Sequence, residues 1–155
     1  MVQRATIHSV SNYHPLPGAG RPIVLIVDGH EETRALYAVA LSAMDFDVVA
    51  ASDSEDAYDR AWVTRPDIIV TEVPVLGLDG ASFVQDLRDN PITRDIPIVI
   101  LSEPDEQPSD SERAERASCS AVIVKPCRPD ELAFRLREVL NRPRSQTEPD
   151  SSDTF

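Results

Sequence analysis

Five short, nearly uninterrupted apolar runs, each followed by a segment of helical period, constrain the fold more than any single residue does. They are IVLIV at 23–27, FDVVA at 46–50, IIV at 68–70, IVIL at 98–101 and VIV at 122–124. A strand with one wet face alternates apolar and polar residues, whereas a continuous run is what burial on both faces requires. Helices that cover both faces must come from the crossovers joining parallel strands. The segment after the first run carries Leu36, Val39, Ala40, Ala43 and Met44, a stripe on one helix face. After the second run, Ser52 and Glu55 form a capping-box pattern ahead of a helix predicted to bury Ala57, Tyr58, Ala61 and Trp62 and to stop before Pro66. A Gly77-Leu78-Asp79-Gly80 turn leads to Phe83, Val84 and Leu87, with a break at Asn90-Pro91. The acid- and proline-rich stretch 103–110 predicts a solvated loop before a short helix at 112–117. Pro129, Asp130 and Glu131 suit the first turn of a last helix, whose buried stripe is Leu132, Leu136, Val139 and Leu140. The expectation is an α/β chain: a (βα)5 doubly wound, parallel, five-stranded sheet.

The chain's 155 residues, 41% of them hydrophobic, suffice for one core. We place that domain at 22–141, between a flexible N-terminal tail at 1–21 and a disordered C-terminal tail at 142–155. Acidic residues outnumber basic ones 27 to 15, and the net charge of -12 opposes binding to nucleic acid or to an anionic membrane surface. No apolar stretch approaches the roughly 20 residues of a membrane span, so a cytoplasmic protein with protein partners is expected. Cys119 and Cys127 match neither a disulfide framework nor a four-ligand zinc site and are expected to be small buried thiols. Lys125 is the one lysine among fifteen basic residues. In a chain that otherwise uses arginine, a compact ammonium at that position suggests chemistry.

Open parallel sheets bind ligands outside the carboxyl ends of their strands, where the winding reverses. The strand ends here are Asp28-Gly29-His30, Thr71-Glu72-Val73, Ser102-Glu103 and Lys125-Pro126. One end of the sheet therefore gathers two carboxylates, a hydroxyl and the sole lysine.

In order and spacing, IVLIVDGH, PDIIVTEVPVLGLDG, IPIVILSE and VIVKP resemble the four motifs of a response-regulator receiver domain of the chemotaxis-regulator type, over roughly 22–141. That resemblance implies a flavodoxin-like fold and a signalling module of two-component phosphorelays, not an enzyme. It further implies transfer of a phosphoryl group from a histidine kinase to an aspartate beside Mg²⁺, with lysine and hydroxyl on the phosphoryl oxygens. It makes Glu72 the phosphoacceptor equivalent, Asp28 the remaining acid of the metal pocket, Ser102 and Lys125 the phosphate contacts, and Val122 the equivalent of the switch aromatic. The peptide bond to Pro126 is often cis in the family.

The chain departs from that pattern where the chemistry lies. The extra methylene of Glu72 carries its carboxylate out by about 1.5 Å, and in-line transfer tolerates little misplacement of its nucleophile. Gly29 stands where the family has a second metal-binding acid, and Mg²⁺ demands near-ideal octahedral oxygen geometry. Mg²⁺ binding is therefore expected to be weak or absent, with no other cofactor or metal. Val122 cannot make an aromatic rotamer switch, and Glu103 would crowd and repel an incoming phosphate. Without metal or phosphate, Lys125 is expected to pair with Glu72, with Ser102 and Asp28 completing the hydrogen bonds. Glu72 could then imitate a phosphorylated state incompletely, bringing one charge where a phosphate brings nearly two.

The reading is a pseudo-receiver acting through protein contacts, with a histidine kinase, a separate effector or a second copy of the chain as partner. Arg113, Arg116, Arg135 and Arg137 are expected on the docking face around the fifth strand. With no output domain expected after 141, the chain reads as a stand-alone regulator. The alternative is a competent receiver phosphorylated at Glu72 or at a nearby acid such as Asp79. A flavin- or nucleotide-binding enzyme lacks support, since no Gly-rich phosphate loop follows the first strand.

Overall fold

In the computed structural model, the described residues are 20–72, 83–105, 107, 113 and 116–142. The elements run β1 (Ile23–Val27), α1 (Glu31–Ala43), β2 (Asp47–Ala51), α2 (Ser54–Thr64), β3 (Ile68–Glu72), α3 (Phe83–Asp89), β4 (Ile98–Ser102), β5 (Ala121–Val124) and α4 (Pro129–Leu140). All four strand pairings are parallel, in the order β2-β1-β3-β4-β5. This is the doubly wound, flavodoxin-like α/β sheet that the apolar runs call for. Between β4 and β5, Arg113, Arg116 and Ala117 are helical, where the sequence places a short helix. Residues 1–19 and 143–155 of the two tails, the 77–80 turn with Asp79, and half of the 103–110 loop lie outside the described residues.

Successive residues of β1 feed two cores. Ile23, Leu25 and Val27 pack with Ala57 and Ala61 of α2 and with Phe83, Val84 and Leu87 of α3. Val24 and Ile26 face the other way, onto Tyr37 and Leu41 of α1 and Leu132, Leu136 and Val139 of α4. A continuous apolar strand is thus used on both faces. Cys127 is buried and Cys119 partly so, and neither is disulfide-bonded.

Two helices differ from their predicted faces. α1 is rotated so that Tyr37 and Leu41 point inward, leaving Leu36 and Val39 58% and 70% exposed. Tyr37 sets this face: its ring fills the core while its hydroxyl donates to the Cys127 carbonyl at 2.7 Å, so a residue with a polar tip takes the place expected of Leu36. In α2, Ala57 and Ala61 are fully buried and hold the helix close to the sheet, leaving no room for an indole. Trp62 stays at the rim, half exposed, with the Arg65 guanidinium 5.9 Å from its ring centroid. The cap of α2 is Asp53, which accepts from the Asp56 amide at 2.8 Å, one residue beyond the expected Ser52. α2 ends at Thr64, ahead of Pro66, with Arg65 in the left-handed region (φ 51°).

Candidate functional site

The winding reverses at β1, which lies between β2 and β3, and the crevice there is bounded by the carboxyl ends of β1 and β3. Asp28 follows β1 directly and is 3% exposed, while Glu72 is the last residue of β3. The Asp28 carboxylate is fixed by the His30 amide, which donates to Oδ1 at 2.8 Å, and its carbonyl accepts from the Arg34 guanidinium at 2.8 Å. A short polar loop thus turns the chain from β1 into α1 and holds the acid at the sheet's edge.

Glu72 divides its two oxygens between neighbours. Oε1 lies 3.5 Å from the Lys125 ammonium, and Oε2 lies 3.8 Å from Nδ1 of His30. His30 Nδ1 is also 3.4 Å from Asp28 Oδ1. Burial raises the Glu72 pKa above the ordinary carboxylate value, and the adjacent Asp28 carboxyl raises it further, outweighing the downward pull of Lys125. The Lys125 pKa is raised as well: burial alone would lower it, but the hydrogen bond to Glu103 and the charges of Glu72, Glu103 and Asp28 hold it above the usual lysine value.

The sequence-expected residues converge, with two differences. The Lys125 to Glu72 pair is present, but the nearer carboxylate is Glu103 at 3.1 Å. Glu103 is thus a second anchor for the ammonium at the mouth of the pocket. Ser102 does not complete the Lys125 to Glu72 pair: its buried hydroxyl donates to the Glu103 carbonyl at 3.2 Å and accepts from Arg116 at 3.4 Å. Asp28 does adjoin Glu72. Val122 is half-buried against the core formed with α2 and α3, and the Lys125-Pro126 bond is cis. The residue that sequence reasoning gave no role is His30; its signal was its position two residues after the β1 acid, at the start of α1.

Of the arginines expected on the face around β5, two are engaged elsewhere. Arg116 reaches Ser102, and Arg137 lies 4.4 Å over the Phe46 ring and donates to the Met44 carbonyl, on the side of α4 toward α1. Arg113 is exposed, and Arg135 pairs with Glu138 at 3.3 Å. Val124 and Phe134 are exposed beside the β5 edge, over a groove that Asp130 and Glu131 also line. Among the described residues, no helix is long and apolar enough to cross a membrane.

The family model for the response regulator receiver domain matches residues 24–137. The chain is 32% identical over 119 residues to a probable transcriptional regulator, ycf27, of Guillardia theta, covering 77% of this chain and 45% of that protein. It is 31% identical over 119 residues to the alkaline phosphatase synthesis transcriptional regulatory protein PhoP of Bacillus subtilis, covering 77% of this chain and 48% of that one. The chain spans about half the length of these curated relatives. Among solved structures, the chemotaxis response regulator CheY4 of Vibrio cholerae superposes with a TM-score of 0.64 at 25% identity, covering 77% of this chain and 98% of that one. A response regulator from Desulfuromonas acetoxidans gives 0.65 at 28% identity, covering 76% and 95%.

Proposed function

The chain belongs to the response regulator receiver domain family, and from that premise we propose a receiver of two-component signalling that works without accepting a phosphoryl group, through contacts with other proteins. The observation that carries this reading is the occupancy of the pocket by its own side chains. Lys125, which in a phosphorylated receiver would hold a phosphoryl oxygen, is held between Glu72 and Glu103. An incoming phosphate would meet three carboxylates, Asp28, Glu72 and Glu103, and one ammonium already engaged.

Mg²⁺, which the family implies, does not fit this donor set. It takes oxygen ligands in octahedral geometry, and the position after Asp28 is Gly29, while the third group in reach is the His30 imidazole. With Val122 in place of an aromatic, the protein holds one conformation instead of switching, since a two-state element responds only to differential interaction. The edge formed by β5 and α4, where Val124 and Phe134 are exposed, is the surface for a kinase, an effector or a second copy. The protein is then a binding module and not an enzyme.

A phosphoryl mimic tests this directly. Beryllofluoride with Mg²⁺, added to ¹⁵N-labelled protein, is expected to leave the amide resonances of residues 28–30, 72, 102–103 and 125 unmoved. Saturable shifts centred on Glu72 would overturn the reading.

A further inference from the structure

We propose that the Asp28, His30 and Glu72 side chains form a site for a borderline transition metal of the Zn²⁺ class. The ligand set is not one that Mg²⁺ would select, and no role for His30 follows from the family resemblance. Imidazole with carboxylates suits Zn²⁺, Co²⁺ or Ni²⁺, whereas an all-oxygen octahedron suits Mg²⁺.

The geometry supports three ligands on one ion. Tetrahedral ligands at about 2.0–2.1 Å from zinc stand about 3.3–3.4 Å from one another. His30 Nδ1 is 3.4 Å from Asp28 Oδ1 and 3.8 Å from Glu72 Oε2, and one donor atom from each residue lies within 4.8 Å of the others. An ion at their centre needs the donors to draw in from separations of up to 4.8 Å to about 3.4 Å, which an exposed histidine and a glutamate can make by side-chain rotation. Asp28 is already oriented by the His30 amide at 2.8 Å, the kind of outer hydrogen bond that fixes a ligating carboxylate. The His30 side chain is 79% exposed, so the fourth position opens to solvent and takes water.

The ion would resolve an electrostatic imbalance. Two carboxylates adjoin at the crevice, and the one ammonium that approaches them does so from the Oε1 side of Glu72 and is shared with Glu103. Metal on the Oε2 side would draw Glu72 toward His30 and leave Lys125 to Glu103. Metal would then exchange the Glu72 contact of Lys125 for Glu103 alone, which makes it a regulatory ligand of the pocket. That regulatory consequence rests on the phosphorylation-independent reading; the site itself does not.

The test is Co²⁺ and Zn²⁺ titration of the full chain, alongside Mg²⁺ and the variants His30→Ala and Glu72→Gln. Visible d–d bands would report Co²⁺ geometry, calorimetry would report Zn²⁺ affinity, and circular dichroism would confirm that each variant folds. We expect one Zn²⁺ per chain, bound at least about 100-fold more tightly than Mg²⁺, and tetrahedral-type Co²⁺ bands. His30→Ala should lose the bands and weaken Zn²⁺ binding at least about tenfold, which an exposed histidine with no ligand role would not do. No Zn²⁺ binding, or Zn²⁺ affinity unchanged in folded His30→Ala, would overturn the site. A phosphoryl adduct would instead overturn phosphorylation independence and leave the site standing.

Discussion

Replacing Lys125 by methionine keeps most of the aliphatic stem and removes the charge, so the stability lost measures what the ammonium does for the pocket. At 3.5 Å, the attraction to Glu72 is about 5 kcal/mol for an effective dielectric near 20. Most of that offsets the desolvation of two side chains that are each about one-fifth exposed. The Glu103 contact is closer, at 3.1 Å, but its carboxylate is 57% exposed and contributes no more than about 1 kcal/mol. The net expectation at pH 7 is a loss of about 2–3 kcal/mol, and for a domain of this size a fall in Tm of about 8–12 °C. Ser102→Ala removes only a hydroxyl bonded to the Glu103 carbonyl and to Arg116, worth about 1 kcal/mol. The deficit of Lys125→Met should narrow as pH falls through the raised Glu72 pKa, because a protonated Glu72 no longer needs a cation. Thermal unfolding followed by circular dichroism across pH 4–8 reads all three quantities. Equal losses for Lys125→Met and Ser102→Ala, or a Lys125→Met deficit that does not change with pH, would refute the reasoning.

Other residues give sharper local expectations. Glu72 keeps its proton to higher pH in the folded protein than in the unfolded chain, so its contribution to stability falls as pH rises from the ordinary carboxylate value through the raised one. Glu72→Gln should flatten that slope and leave the protein more stable than wild type above it, as measured by Tm across pH 4–8. Tyr37→Phe leaves the buried Cys127 carbonyl without its donor and should cost about 1–2 kcal/mol in denaturant unfolding. Arg88 ties α3 to the loop before β4 and to the end of the following helical segment, donating to the carbonyls of Arg94, Ile96 and Ser118 at 2.8–3.0 Å. Arg88→Ala should therefore cost about 2–3 kcal/mol in the same assay. A Cβ added at Gly29 would meet only the Ser52 carbonyl, at an ordinary 3.8 Å, so Gly29→Asp should fold normally and bind Mg²⁺ more tightly than wild type by calorimetry.

The sheet was readable because burial on both faces leaves an unbroken apolar run, and the place of the site followed from the reversal of winding at β1. Helix faces were harder to read. Counting only aliphatic residues put Leu36 and Val39 inside, while Tyr37 satisfied core and carbonyl together; the bulk of Trp62 suggested burial, but two alanines had already closed the gap. The pocket's acids, serine and lysine were found from the strand ends. What spacing could not reveal was how the polar atoms are shared: that Ser102 turns to Arg116, that Glu103 takes the nearer side of Lys125, and that His30 folds back over Asp28 and Glu72. Those choices depend on loop geometry and desolvation, which neighbouring letters in a sequence do not encode.

The central claim is that Glu72, held by Lys125 in a pocket lacking the second acid, does not take a phosphoryl group. Incubation of the full chain with acetyl phosphate and excess Mg²⁺, followed by intact-mass measurement, tests it most directly. A single species at the unmodified mass is expected; a phosphoryl adduct that disappears in Glu72→Gln would contradict that claim.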